Sequence, residues 1–184
     1  METPTIFPKN AAEWREWLIL HHAQEKGVWV QMPSKKSGIE GISWSTLVEH
    51  ALCFGWVDSK KVKLDDVFSK QYVSPRKPKS TWSKINKTWI DKLHVQGMMY
   101  PAGSRAVEIA KQNGSWQLLD TVDALEIPPD LEATFLKFPG SKEWFTSKSP
   151  SYQKLLLASL VLAKTAATRQ KRIDAFLVAN KHLI

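Results

Sequence analysis

Between Trp56 and Val73 the chain leaves the helical spacing that surrounds it and breaks into two short runs rich in β-branched and aromatic residues, Trp56 to Leu64 and Val67 to Val73. Asp65-Asp66 separates them. Two such runs joined by turn-forming residues predict an antiparallel hairpin. Helical patterns on both sides of it predict an α+β fold, a small antiparallel sheet packed with helices and followed by a helical C-terminal region.

The helical patterns carry their own punctuation. Asn10 with Glu13 resembles a capping box, Trp14, Trp17, Leu18 and His21 form a stripe, and Gly27 supplies a stop, which predicts a helix over 11–26. Val28 to Met32 reads as a strand and Lys35 to Gly41 as a loop. Ser43 caps a second helix with Trp44, Leu47, Val48, Ala51 and Leu52 inward, and Gly55 ends it. After the hairpin, Pro75 and Pro78 hold an extended lysine-rich connection, and Ser80 or Ser83 starts a helix running to about Gln96 with Trp82, Ile85, Trp89 and Leu93 buried. Pro101 opens the next helix, and Gly114 stops it. Pro128-Pro129 marks the expected joint between a core over 1–127 and a helical subdomain over 128–184, with helices near 130–137, 140–147, 150–163 and 166–180.

A chain of 184 residues buries about two thirds of its unfolded surface, enough for a core of its own. Most of its nine tryptophans are expected in that core, because the ring is large and the N–H finds a partner when buried. A single cysteine, Cys53, excludes an intramolecular disulfide framework and a thiolate-rich zinc site, and no metal or cofactor is expected. The first residues lack a basic stretch followed by an apolar one, so a cytoplasmic protein is expected. Leu155 to Ala163, the longest apolar run, falls far short of the roughly 18 residues a spanning helix needs. A formal net charge of +8 favours an anionic partner, either a small molecule or a nucleic acid.

The strongest candidate site runs from Arg76 to Lys87. Arg76, Lys77, Lys79, Lys84 and Lys87 surround a serine-flanked helix start, where free backbone N–H groups and cations would meet a phosphate or carboxylate together. Ser80, Ser83 and Asn86 complete the shell, and Trp82 lies within it. Trp56 and Asp58 stand where a helix hands over to a strand, and Asp58 is placed to orient Arg76 by a charge-assisted bond. His50 and Cys53, three apart on one helix, read as structural in the absence of an orienting third group. Lys164, Arg169, Lys171 and Arg172 read as the polar face of an amphipathic helix.

Ala51-Leu-Cys-Phe-Gly-Trp-Val-Asp-Ser59 and Pro75-Arg-Lys-Pro-Lys-Ser-Thr-Trp-Ser-Lys-Ile-Asn-Lys87 resemble the YdeI/OmpD-associated family, also labelled bacteriocin-protection proteins. Gly97-Met-Met-Tyr-Pro-Ala-Gly103 and Ala163-Lys-Thr-Ala-Ala-Thr-Arg-Gln-Lys-Arg-Ile173 extend the resemblance. It implies a bacterial stress protein associated with resistance to cationic antimicrobial peptides and with an outer-membrane porin. A net charge of +8 opposes direct capture of such a peptide. The expected function is therefore non-enzymatic, exerted through a phosphorylated metabolite or nucleic acid held near Arg76 to Lys87. The alternatives are an enzyme acting on a small phosphate- or carboxylate-bearing substrate, with Asp58 as general base and Arg76 as clamp, and an interaction protein using exposed tryptophans.

Overall fold

The computed structural model describes residues 3–180, with side chains through Val178. The elements in order are β1 (Thr5–Ile6), α1 (Ala11–His21), β2 (Val28–Pro33), α2 (Trp44–Cys53), β3 (Trp56–Lys63), β4 (Phe68–Pro75), α3 (Lys84–Val95), α4 (Pro101–Gln112), α5 (Asp120–Asp123), α6 (Pro129–Lys137), α7 (Ser141–Thr146), α8 (Pro150–Val161) and α9 (Ala166–Asn180). Two compact units result. Among the described residues, those up to Ser80 and 85–116 make the sheet unit, while 81–84 and those from Gln117 onward make the helical unit. The sequence places the joint at Pro128-Pro129; by packing, the chain divides after Trp116 and lends Thr81–Lys84 to the second unit.

In the sheet unit, the four strands lie in the order β1-β2-β4-β3. β4 is central and antiparallel to both β2 and β3, so the expected hairpin is present. The sheet is mixed, because β1 adds a short parallel pair to β2 that the sequence pattern did not announce. Two residues are too few for alternation to register. Along β2, Val28, Val30 and Met32 alternate inward, and across β4 from them lie Val73, Gln71 and Ser69. A register shift between Asp58 and Lys61 inserts one extra residue into β3.

The helices start where their caps predict. Asn10 accepts the Glu13 N–H at 3.0 Å, and Ser43 accepts the Thr46 N–H at 3.1 Å. α1 closes at His21, earlier than Gly27, because His22 returns its N–H to Leu18 and the chain then turns into β2. Trp14 and Leu18 are fully buried, with the Trp14 N–H donating to the Leu47 carbonyl at 3.0 Å. Gly55, at φ +73°, ends α2 in the left-handed region that favours glycine. Gly103 lets α4 approach α2 closely: a Cβ there would sit 2.1 Å from the Cys53 carbonyl oxygen.

Two apolar stripes differ from expectation. In α3 the buried pair is Ile90 and Leu93, while Ile85 is 59% exposed. Trp44 opens α2 but is 46% exposed, its indole turned toward Asp58 instead of the core. Trp14, Trp56 and Trp82 are the deeply buried tryptophans, and several of the others are only half-buried. An indole tolerates this because its N–H end is content at a polar boundary.

The helical unit has an aromatic and aliphatic core of Val122, Leu131, Phe135, Phe145, Leu157, Leu160, Ile173 and Phe176. Phe135, Phe145 and Phe176 form mutual ring contacts at 5.6–6.3 Å. Ile173 and Phe176 are the inward stripe expected for the last helix, with Leu177 packed against it. The cations of that helix are surface groups: Arg169 forks onto Asp130 with N–O distances of 2.5 and 2.9 Å, and Arg172 donates to the Ser159 carbonyl. Among the described residues no helix is long and apolar enough to cross a membrane.

Candidate anion-binding surface

Trp56 and Asp58 point to the same side of β3, the side covered by α1 and α2. Trp56 is 1% exposed, meets Trp17 edge-on at 5.9 Å and donates its N–H to the His22 carbonyl at 3.3 Å. Its ring therefore packs. Asp58 accepts from the Trp44 indole at 3.1 Å and from the Gln71 amide at 3.4 Å. Arg76 follows β4 and extends the ladder by one bond, its N–H donating to the Gly55 carbonyl at 2.9 Å. Burial pushes its guanidinium down to about 10, and the charge of Asp58 acts in the opposite direction. Asp58 and Arg76 thus interact through their charges inside the sheet unit.

The loop beyond Arg76 presents Lys77 and Lys79, both exposed. Its shape is fixed from a distance of 35 residues or more along the chain. The Pro78 carbonyl accepts from Asn113 Nδ2 at 2.7 Å and from the Ser115 hydroxyl at 3.3 Å, and Asn113 Oδ1 in turn accepts the Ser115 N–H at 2.9 Å. The next residue is Trp116, whose ring carries Lys87 Nζ at 5.4 Å and Lys111 Nζ at 5.3 Å from its centroid. Two cations and an aromatic ring are consequently gathered around the end of α4, with the backbone of the Lys77–Lys79 loop tied beside them. Lys111, Asn113 and Trp116 were not among the expected site residues. Nothing in local spacing links Pro78 to Asn113, so no sequence signal could have placed them there.

The remaining expected residues are distributed as follows. Ser80 is half-buried and returns its N–H to the Lys77 carbonyl at 2.9 Å. Asn86 is half-buried on the first turn of α3. Trp82, Ser83 and Lys84 belong to the helical unit, with Trp82 1% exposed and Ser83 and Lys84 at the surface. At the opening of α3 the Lys84 N–H donates to Asp123 Oδ2 at 3.3 Å, and Lys154 Nζ holds the other oxygen of that carboxylate at 2.8 Å. An internal anion therefore already meets the first amide of α3.

His50 and Cys53 lie on α2 beside Arg15 from α1. Arg15 donates through Nη2 to the Met98 carbonyl at 2.9 Å and lies over the Phe54 ring at 5.4 Å. Burial pushes the Cys53 thiol up, against a lowering hydrogen bond from Arg15, so the sulfur is a thiol and not a nucleophilic thiolate. Burial, and then the charge of Arg15, push His50 below its ordinary value. His50 Nδ1 and Arg15 Nη1 are buried without a hydrogen-bond partner. Among the described residues no three His, Cys, Asp or Glu side chains come together as metal ligands would.

Residues 6–106 match the family described as a domain of unknown function (DUF8412), and residues 124–179 match the family described as bacteriocin-protection, YdeI or OmpD-associated. The motifs Ala51–Ser59, Pro75–Lys87 and Gly97–Gly103 lie in the first match and Ala163–Ile173 in the second. No curated protein and no solved structure matches the chain. With more than half of its length in the first match, the chain belongs to the DUF8412 family, and its C-terminal segment bears the YdeI/OmpD-associated signature of bacteriocin protection.

Proposed function

We propose that this is a bacteriocin-protection-associated protein that works by binding a polyanion, with single-stranded nucleic acid the best chemical fit, across Lys77, Lys79, Lys87 and Lys111 and the ring of Trp116. One observation carries the reading: the Pro78 carbonyl, held by Asn113 and Ser115, brings the lysine loop to the aromatic platform that Lys87 and Lys111 flank. Cations that track phosphates and an indole on which a base stacks are the two elements of sequence-tolerant strand binding. The net charge of +8 favours encounter with such a ligand and repels a cationic peptide, so protection would run through an anionic cell component. Arg76, partly desolvated beside Asp58, serves here as the rigid base of the loop.

The test is fluorescence anisotropy of a labelled single-stranded oligonucleotide against salt. Each phosphate neutralised contributes about −0.7 to the slope of log K against log salt. Lys77→Ala/Lys79→Ala and Lys87→Ala/Lys111→Ala should each flatten that slope, and Asn113→Ala should weaken binding by freeing the loop. Unchanged affinity and slope in both folded double variants would remove the surface from consideration. Binding that inorganic phosphate abolishes at millimolar concentration, with little salt dependence, would identify a small phosphorylated ligand instead.

A further inference from the structure

A cavity of about 370 Å³ opens in the sheet unit, lined by none of the lysine-loop residues, where the ends of β2 and β4 meet β3, the 34–43 loop and the start of α2. Its volume is in the range of small-molecule sites. Trp44 and Ile39, exposed by 46% and 44%, form apolar walls with the buried Ile42 at the base. Lys35 and Lys61 stand at its edge, and Ser69 offers a hydroxyl. Both lysines are exposed, and neither makes an ion pair among the described residues.

The irregularity in β3 explains how Lys61 comes to be there. Asp58 pairs with Val73 and Lys61 with Gln71, two β4 positions on one face. Regular alternation would put Asp58 and Lys61 on opposite faces; the extra residue puts them on the same one. Lys61 thereby joins Ser69 and Trp44 on the helix-covered side. Asp58 does not line the cavity, and its carboxylate is taken up by Trp44, Gln71 and the charge of Arg76. The indole is thus fixed by its N–H and by a tilted contact with the Trp89 ring at 5.8 Å, and the residue is still 46% exposed.

The geometry points to a binding site for a small amphipathic anion, an apolar or aromatic body carrying one phosphate or carboxylate. The body would lie against Trp44, Ile39 and Ile42, and the anionic group would meet Lys35, Lys61 and the Ser69 hydroxyl. This site does not depend on the polyanion reading, since it shares no residue with the surface around Trp116.

The experiment is a titration of the isotope-labelled full chain with phenyl phosphate, followed by the indole N–H resonances of Trp44 and Trp116, with benzoate as the carboxylate arm. Phenyl phosphate should shift the Trp44 resonance saturably, and Lys35→Ala or Lys61→Ala should each weaken binding about tenfold. Inorganic phosphate, lacking the body, and benzyl alcohol, lacking the charge, should each bind at least about tenfold more weakly. Tighter binding of benzoate than of phenyl phosphate would assign the anionic group as carboxylate and uphold the site. Shifts confined to Trp116, equal affinity for inorganic phosphate, or undiminished binding in the folded Lys35→Ala/Lys61→Ala variant would each overturn it. Because both lysines are exposed and unpaired, loss of fold is not the expected result of replacing them.

Discussion

The two units solve the problem of buried polar groups in opposite ways. In the helical unit, buried Ser141 donates to the Phe138 carbonyl and buried Gln153 to the carbonyls of Thr146 and Lys148, so each closes a nearby turn beside a core of Phe and Leu. In the sheet unit, polarity runs through the interior: Gln71 is 3% exposed and reaches Asp58, Arg76 is partly desolvated, and His50 and Arg15 keep buried nitrogens without partners. Unpaired buried nitrogens cost stability, which a chain selected only for stability would not retain. The contrast teaches that the segment bearing the bacteriocin-protection signature is conventionally packed, whereas the other unit carries polar and charged groups through its interior.

The comparison can be broken most directly in the helical core. Phe145→Ala should cost about 4 kcal/mol, since the ring is fully buried and meets both Phe135 and Phe176. Amide exchange should report the loss in α6 to α9. A cost below about 1 kcal/mol, read by urea unfolding, would mean that this core is not close-packed. Gly103→Ala comes next, at about 3 kcal/mol, because the new methyl would collide with the Cys53 carbonyl backbone and drive α4 off α2. Loss of protection around α2 and α4 is the expected signature.

A smaller effect separates the units by pH. His50, between Arg15 and Glu49, has a folded value below its ordinary 6.5, so the unfolded chain takes up the proton first as pH falls. Its contribution is complete above the unfolded value and declines as pH drops through it toward the folded one. Unfolding between pH 7.5 and 5 should show this slope, and His50→Leu should flatten it. The reverse slope would contradict the burial argument. Smallest of all is Asp130→Asn, where the Arg169 hydrogen bond holds the carboxyl below its ordinary range. Its stabilisation is present above the unfolded value and is lost as pH falls through the folded one. The pair is partly exposed, at 25% for Arg169 and 39% for Asp130, and solvent screens it, so the whole effect should stay near or below about 1 kcal/mol by chemical denaturation.

What the sequence revealed of this was local. Asn10, Ser43, Gly55 and Pro101 act where they stand, so the starts of α1, α2 and α4 and the hairpin of β3 and β4 were legible from neighbouring residues. The phase of α3 was not. Ile85 and Ile90 offer equally apolar alternatives, and only packing chooses Ile90. The charge interaction of Asp58 with Arg76 could be anticipated because a hairpin brings the ends of its strands together. The platform of Lys111 and Trp116 could not, since it depends on Asn113 reaching the Pro78 carbonyl across the fold. Nor could the position of Lys61, which a single extra residue in β3 decides.

That extra residue matters for colonies of molecules as well as for one. β3 is the long outer strand of the sheet, and the strand at the opposite border, β1, spans only two residues. Unfilled amides along such a border invite a strand from another copy. Here the interruption breaks the row that a visitor would have to match, and Lys60, Lys61 and Lys63 would confront the same lysines arriving with it. Concentrated copies of this chain would thus be deterred from stacking into fibres by the kink that moves Lys61 to the helix-covered face of the sheet.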